Sequence, residues 1–304
     1  ARRSRRMTRA SDTHAQHAGA DERGSKHGGP DRNRTPHDRR FDHREKAEIE
    51  NKTPITPPAV FEVVRRAGEQ ELVRPATALV CSALVAGLAI GFSVLTKALL
   101  QTHLPDADWR PLVTSLGYSV GFVIVIMGQM QLFTENTITV VCPLLVRPSR
   151  AVLGGVARLW SLVLAANLAG AAAFGVALYL AREVQPQTWQ AVLELSRVSI
   201  GHDFWAICVR GIGAGWLIAA LVWIISTADE AQLLLIVLVT YVISLAGFSH
   251  VVAGGVEAAV LVVAGEMSVG NAVFGFVTPA VIGNVIGGTV LFTLLTWAQI
   301  RAEL

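Results

Sequence analysis

Charged residues are scarce in this sequence, and their absence from long stretches excludes a soluble protein. Only 16% of the 304 residues are Asp, Glu, Lys or Arg, whereas 52% are hydrophobic. Since about twenty apolar residues in helical conformation span a bilayer, six long runs exclude a single globular core. The pattern predicts an all-α membrane protein with six transmembrane helices. The runs carry at most one charge each and cover residues 76–100, 111–146, 159–181, 204–228, 231–265 and 271–300.

Cysteines are also few, and no pattern of metal ligands accompanies them. Cys81, Cys142 and Cys208 all lie inside apolar runs, where a cysteine behaves as a small core residue. The sequence contains no nucleophile with a base at a recognisable spacing and no phosphate-binding loop. We therefore expect neither an enzyme nor a protein with a metal or another cofactor.

The charge that is present divides the chain into three parts. Residues 1–58 are rich in Arg, Asp, His, Gly and Pro, which predicts a disordered, basic, cytoplasmic arm. No aromatic residues alternate with its charges, so we expect contact with anionic lipid rather than nucleic acid. Residues 59–74 combine apolar positions such as Val60 and Phe61 with charged ones, which predicts an amphipathic helix at the membrane interface. Residues 75–304 form the six-span pore domain.

The basic residues also predict the orientation of the chain in the membrane. Cytoplasmic loops are enriched in Lys and Arg, and the basic arm provides the largest cluster. An arm on the inside and six spans place both termini in the cytoplasm. The inside set of loops then holds Arg147, Arg150, Arg158 and Arg301, and the outside set holds Arg110, Arg182 and Arg197.

Two of the six runs are too long for one helix and are interrupted near their middle. Runs 111–146 and 231–265 contain polar residues and glycine around Thr134 and around His250. Backbone that leaves the helix at membrane depth is tolerated where it is buried in protein or lines a cavity. Interrupted spans at corresponding positions of two halves indicate a transport site.

The two halves of the pore domain share a series of small-residue and asparagine motifs in the same order. Because each half has three spans, the copies have opposite topology, and we predict a 3+3 inverted repeat with spans 2 and 5 interrupted. Asn167 and Asn284 then bind backbone groups freed at the helix breaks. The matched motifs are Gly87-Leu-Ala-Ile-Gly91 with Gly211-Ile-Gly-Ala-Gly215, and Asn167-Leu-Ala-Gly170 with Asn284-Val-Ile-Gly287.

Four segments resemble the signatures of the formate/nitrite transporter family. The resemblance covers roughly residues 60 to 300 and points to a bacterial branch of inner membrane proteins. It implies an aquaporin-like protomer in a homopentamer, with one pore per subunit for formate, nitrite or a similar solute. The segments are Gly128-Gln-Met-Gln-Leu-Phe-Thr134, Asn167-Leu-Ala-Gly170, Gly247-Phe-Ser-His250 and Gly283-Asn-Val-Ile-Gly-Gly288.

The same resemblance implies which residues form the pore. Its centre corresponds to Leu132, Phe133, Thr134 and His250, and the apolar constrictions on either side correspond to Tyr118, Phe122 and Ile243. A permanent anion in such a constriction carries a large desolvation cost. Protonating a carboxylic acid with a pKa of about 3.5 costs roughly 5 kcal/mol at pH 7, and a Thr134/His250 pair that shares a proton would lower that cost.

The sequence departs from the family at several charged positions. The formate and nitrite channels carry a lysine near Ser199 and asparagines at the positions of Gly215 and Gly254. In addition, this chain has Glu135, Arg210 and Glu257 inside its spans, where each charge costs about 2.5 to 3.5 kcal/mol unless it is paired or functional. Arg210 either pairs with Glu257 or Glu135, or replaces the missing lysine as an anion attractor. Lys97, near a span end, is expected to extend to the interface.

Three functions are consistent with the sequence. The first is a channel or proton-linked carrier for a small monovalent anion or its conjugate acid. The second is a pore for a neutral solute, from which Glu135 and Glu257 exclude anions. The third is a membrane scaffold that uses the N-terminal arm and transports nothing. The sequence leaves open which solute passes and whether Arg210 lines the pore.

Overall fold

The computed structural model describes residues 55–303 together with Glu45, and over this part of the chain it contains helices and no strands. The predicted arm, residues 1–58, lies outside the described residues apart from Glu45 and its last four positions. The first helix, α1, runs from Pro57 to Leu72 and matches the segment in which an amphipathic helix was expected. It buries Val60, Phe61, Val64 and Gly68, and its Arg66 side chain is exposed.

Twelve further helices follow α1 in the described part of the chain. Five helical segments there are long and apolar enough to cross a membrane, namely Ala76–His103, Arg110–Met127, Arg150–Leu180, Phe204–Ile225 and Asn271–Ala302. The helices are α2 (Ala76–His103), α3 (Arg110–Gly117), α4 (Ser119–Met127), α5 (Asn136–Thr139), α6 (Val141–Val146), α7 (Arg150–Leu180), α8 (Pro186–Ile200), α9 (Phe204–Ile225), α10 (Gln232–Leu245), α11 (Val251–Val263), α12 (Thr278–Val285) and α13 (Leu295–Glu303). The stretches Asn271–Val277 and Ile286–Leu294 on either side of α12 are π-helical.

Two stretches at membrane depth leave the helical conformation. The first connects Met127, the last residue of α4, to Asn136, the first residue of α5. The second connects Leu245, the end of α10, to Val251, the start of α11. We call them the first break and the second break. Each contains one residue with positive φ, Gln129 at 51° and Gly247 at 64°.

Close helix pairs place an asparagine beside each break. α2 lies against α7, and a Cβ atom at Gly87 would collide with the carbonyl oxygen of Asn167. α9 lies against α12 in the same way, and a Cβ atom at Gly215 would collide with the carbonyl oxygen of Asn284. Glycine at these contacts lets the backbones approach closely, as in other packed membrane helices.

Helix α1 packs on the short helices that follow the first break. Its Phe61 ring stacks on Trp297 of α13 with 4.8 Å between centroids. Gly68 packs closely against the carbonyl oxygen of Thr139 in α5. Helix α1 therefore contacts the backbone of α5. On its outer face, hydrogen bonds from Arg65 and Arg66 hold the pKa of Glu62 at about 2.

Candidate pore centre and cavity

The first break is held by the side chain of one buried asparagine. The Oδ1 atom of Asn167 accepts a hydrogen bond of 2.9 Å from the backbone amide of Phe133. Its Nδ2 group donates to the carbonyl oxygens of Ala83, at 2.7 Å, and Gln131, at 2.9 Å. Asn167 is fully buried, and its amide satisfies three backbone groups that would otherwise lack a partner in an apolar environment.

The second break is held in the same manner. The Oδ1 atom of Asn284 accepts from the amide of Val251 at 3.0 Å, and its Nδ2 group donates to the carbonyl oxygens of Gly211, at 2.9 Å, and Ser249, at 2.8 Å. Asn284 is also fully buried. Each asparagine thus binds one amide and two carbonyl groups.

The matching contacts define a register between the two breaks. Phe133 corresponds to Val251, and Gln131 corresponds to Ser249, since each pair binds the equivalent atom of its asparagine. In this register His250 corresponds to Leu132. Thr134 and His250 therefore do not occupy equivalent positions in the two breaks.

Thr134 and His250 nevertheless meet directly. The Oγ1 atom of Thr134 lies 2.8 Å from Nε2 of His250, and both residues are buried, with 0% and 1% of their surface exposed. The contact joins residues 116 positions apart. The two breaks, one in each half of the pore domain, are therefore in contact through these two side chains.

Hydrogen bonding determines where the histidine proton lies. His250 caps the N-terminus of α11, and its Nδ1 atom accepts a hydrogen bond of 3.3 Å from the amide of Ala253. With Nδ1 acting as the acceptor, a neutral imidazole carries its proton on Nε2 and donates it to Oγ1 of Thr134. The hydroxyl hydrogen of Thr134 is then free to point to another acceptor.

Of the predicted constriction residues, Phe122 contacts His250 directly, and Tyr118 contacts Phe122. The Phe122 ring meets the His250 ring edge to face with 4.9 Å between centroids, and Tyr118 lies 5.1 Å from Phe122. Phe122 and Ile243 are fully buried, and Tyr118 is 7% exposed. On this side, the His250 ring therefore lies against an aromatic side chain.

Leu132 and Phe133 are both buried at the first break, but Phe133 does not turn toward His250. Its ring packs edge to face against Trp160 of α7, with 5.8 Å between centroids. Trp160 in turn donates a hydrogen bond of 3.0 Å from its indole nitrogen to the carbonyl oxygen of Asn136. This contact ties the first break to α7.

A cavity of about 230 Å³ opens on one side of the Thr134/His250 contact, and His250 is part of its wall. Its charged lining residues are Lys97 from α2, Arg210 from α9 and Glu257 from α11. Lys97, which was expected near the membrane interface, contributes to the wall of this cavity. The rotation of α2 directs this side chain into the cavity, where it acts electrostatically on Glu257.

Arg210 also lines the cavity, and its contacts differ from the ion pairs considered for it. Its Nη1 atom lies 2.6 Å from Nε2 of His202 and donates to the carbonyl oxygen of Gly247 at 3.3 Å. Among the described residues, neither Glu257 nor Glu135 forms an ion pair with Arg210, whose partners lie in the α8–α9 connection and in the second break. The guanidinium group of Arg210 is thus bound by neutral groups.

Glu135 lies near Glu71 of α1, away from the His250 cavity. One of its carboxylate oxygens, Oε1, is buried without a hydrogen-bond partner among the described residues. Beside it, Glu71 accepts a hydrogen bond of 2.9 Å from Nε2 of Gln131, and Gln131 accepts one of 3.1 Å from Asn136. This network connects the end of α1 to the first break.

Two of the departures from the family have a steric explanation. The Phe276 ring occupies the position of a side chain at Gly254, with the Cζ atom where a Cβ atom would lie. Gly215 contacts the backbone of Asn284, so a larger residue there would push α9 away from α12. The asparagines found at these positions in formate and nitrite channels have no room in this chain.

Lys97 and Phe276 are among the cavity residues that sequence reasoning missed. Lys97 is the only charge in its span, and a single intramembrane charge is a recognised signal for function that was assigned instead to the interface. Phe276 gave no signal, because one phenylalanine in an apolar run is ordinary. Ser199, the position of the lysine in the family, lines the same cavity as Lys97.

Comparison with known proteins agrees with this geometry. The family model "Formate/nitrite transporter" matches residues 58–298. The chain is 37% identical over 259 residues to the inner membrane protein YfdC of Escherichia coli (strain K12), which covers 84% of this chain and 82% of YfdC. It is 26% identical over 271 residues to the formate channel FocA of the same strain, which covers 80% of this chain and 93% of FocA.

The fold is also similar to a solved structure described as a pentameric formate channel with formate bound. The TM-score is 0.62 at 18% sequence identity, over 79% of this chain and 99% of the channel. This likeness supports an all-helical membrane fold of the same type. Because the family model covers most of the chain and YfdC is similar over more than four fifths of it, the chain belongs to the formate/nitrite transporter family.

Proposed function

We propose that this protein is a membrane pore for small monovalent anions of the formate and nitrite class, which cross as the anion or as its conjugate acid. The observation that supports this most directly is the His250 cavity. Its wall carries two cationic side chains, Lys97 and Arg210, against one carboxylate, Glu257, and it reaches the Thr134/His250 contact between the two breaks. A relative, FocA, is described as a formate channel.

Arg210 is the residue we propose as the anion attractor of the cavity. Its guanidinium group contacts neutral partners, so its charge is available to a solute, whereas the charge of Lys97 is offset by Glu257 in the same cavity. A cavity whose lining has a net charge and whose other walls are apolar concentrates ions of the opposite charge. The N-terminus of α11, capped by His250, adds a partial positive charge at the inner end.

We propose that Thr134 and His250 form the centre of the pore, with Leu132, Phe122 and Ile243 as the apolar residues around it and Phe133 as their support. In the neutral tautomer, His250 fixes the Thr134 hydroxyl, whose free hydrogen can then be donated to a passing oxygen atom. An oxygen that accepts this hydrogen bond recovers part of the hydration that it loses on leaving the cavity.

We also propose the assembly and orientation that the family suggests. The matched hydrogen bonds of Asn167 and Asn284 support a 3+3 inverted repeat with both interrupted spans at its centre. A homopentamer in the bacterial inner membrane is supported by the description of the similar structure as pentameric and of YfdC as an inner membrane protein. The basic N-terminal arm supports a cytoplasmic location for both termini.

The alternatives have less support. A neutral-solute pore required Glu135 and Glu257 to repel anions together, but Glu135 lies beside Glu71 and away from the cavity, and Glu257 faces two cations. A scaffold without transport would leave the charged cavity at the pore centre without a role. An enzyme is not supported, since the family consists of channels and transporters.

A flux assay in proteoliposomes tests the proposal. The purified protein would be reconstituted, and uptake of formate, nitrite, acetate, hydrosulfide and glycerol would be measured at pH 5.5 and pH 7.5. We expect uptake of formate or nitrite well above that of empty liposomes and no uptake of glycerol. Uptake of glycerol with no anion uptake would instead support the neutral-solute pore.

A pair of arginine variants sharpens the test. Arg210→Gln is expected to lower anion uptake about tenfold, since the cavity loses its available cation, and to leave the fold intact. The matched control is Arg182→Gln, which removes the same charge from a residue that packs over Tyr179 outside the His250 cavity. Equal effects of the two variants would contradict the role of Arg210.

A further inference from the structure

The cavity contains one carboxylate, and its position relative to His250 has a consequence for proton movement. Glu257 follows His250 by seven residues on α11, which places the two side chains two helical turns apart on the same face. Gly254 lies between them, and all three line the cavity. A solute that enters the cavity and reaches His250 therefore passes Glu257.

His250 itself has no proton to give to a solute in the cavity. Its Nδ1 atom accepts the amide of Ala253, and its Nε2 proton is donated to Thr134. Protonation of Nδ1 would point its hydrogen atom at the amide hydrogen of Ala253. A positive charge is also unfavourable at this position, which is the N-terminus of a helix. The proton of a neutral acid that crosses the centre has to come from another group.

The other titratable groups that face Glu257 are poorer donors. They are Lys97 from α2, Tyr118 at the junction of α3 and α4, and Arg210 from α9. Ammonium, phenol and guanidinium groups ordinarily release their protons only near pH 10 or above, so they rarely act as proton donors near neutrality. A carboxyl group that is 5% exposed and faces an ammonium group is different. Its burial favours the acid, and Lys97 favours the carboxylate, so both forms are accessible.

We propose that Glu257 is the proton donor that converts the entering anion to its neutral acid before it reaches Thr134 and His250. This inference rests on the proposed function. The O–H bond of the Glu257 carboxyl group breaks, and a new O–H bond forms on an oxygen of the anion. The neutral acid continues through the apolar centre, and the carboxylate remains beside Lys97. A hydronium ion from the side of entry then returns a proton to Glu257 and becomes water, so that one proton crosses with each anion.

The test compares formate uptake and internal acidification in proteoliposomes between pH 5 and pH 8. For the unchanged protein we expect one proton per formate ion. For Glu257→Gln we expect formate uptake at pH 7 to fall at least tenfold. The remaining uptake should lose the part of its pH dependence that comes from protonation of Glu257. The matched control is Glu194→Gln, an exposed carboxylate on α8 that hydrogen-bonds Gln101, for which we expect unchanged uptake.

A second variant leaves Glu257 in place. Lys97→Gln removes the charge that favours the carboxylate, so the midpoint of the uptake curve should move to higher pH by about one pH unit. Normal uptake and an unchanged pH profile in Glu257→Gln would overturn the inference and leave the proposed function standing. If Glu257→Gln fails to fold, an unmoved midpoint in Lys97→Gln overturns it. If the unchanged protein transports neither formate nor nitrite at any pH, both proposals fail.

Discussion

The two breaks use the same backbone arrangement, yet their surroundings are opposite in character. In each, a buried asparagine binds one amide and two carbonyl groups. The first break is covered by α1, and its polar side chains bind one another through Glu71, Gln131 and Asn136. The second break faces the cavity, where charged side chains remain available to a solute.

This difference indicates that the backbone bound by the asparagines is structural in both breaks, whereas the side chains beside each break determine what it does. The first break has additional ties besides its asparagine. The amide of Gln131 donates to Oγ of Ser82 at 3.0 Å, and its side chain reaches Glu71 of α1. The second break has a longer tie besides Asn284, the 3.3 Å hydrogen bond from Arg210 to the carbonyl oxygen of Gly247, so we expect it to depend more on Asn284. Four changes test this contrast, from the largest expected effect to the smallest.

Removing the two asparagine side chains compares the breaks directly. Asn284→Ala and Asn167→Ala each leave three buried backbone groups without a partner, and we expect a loss of at least about 3 kcal/mol of unfolding free energy for Asn284→Ala. The loss for Asn167→Ala should be smaller, because the ties of Gln131 remain. Thermal unfolding in detergent measures both, with the exposed Asn271→Ala as control. A larger loss for Asn167→Ala would contradict the contrast.

The second break can be tested by restoring a residue typical of the family. Gly254→Asn places a side chain where the Phe276 ring lies, so we expect overpacking to lower stability by about 2 to 3 kcal/mol. Adding Phe276→Ala removes the collision and should recover most of that loss. The stabilities of both single variants and the double variant give the coupling energy between the two positions. Additive effects would show that the ring and the new side chain do not compete.

The packing of α1 over the first break can be weakened at one contact. A Cβ atom in Gly68→Ala collides with the carbonyl oxygen of Thr139, so α1 has to move away from α5. We expect a loss of about 1 to 2 kcal/mol, measured by thermal unfolding. The control is Gly154→Ala in α7, where a Cβ atom has no neighbour within 4 Å and the change should raise stability slightly. Equal results would mean that α1 is not closely packed.

The smallest expected effect concerns an exposed ion pair near the end of α11. Arg197 donates to Glu266 at 2.7 and 2.5 Å, and this contact lowers the pKa of Glu266. A lowered pKa contributes stability above the ordinary pKa of glutamate and loses it as pH falls through the lowered value. The stability difference between the unchanged protein and Arg197→Met should therefore shrink from pH 7 to pH 3. A difference that stays constant would show that the pair has no role.

Much of the fold could be predicted from the sequence. Charged residues are costly in a bilayer, so long stretches without them identify the membrane helices. Apolar length predicted the membrane helices, and polar residues inside two long runs predicted the region of both breaks. The family resemblance identified Thr134 and His250, which lie in direct contact. The exact register between the halves was not predicted, because it depends on which backbone atom each asparagine binds.

The sequence by itself determined that the chain is an all-helical membrane protein with a histidine and a threonine at two interrupted segments. Only the tertiary structure placed Lys97, Arg210 and Glu257 in one cavity. These residues come from three helices and lie as many as 160 positions apart in the sequence. Whether a lone charge in a span faces lipid, a neighbouring helix or a cavity depends on how its helix is rotated. That rotation is fixed by packing against helices that are distant in the chain.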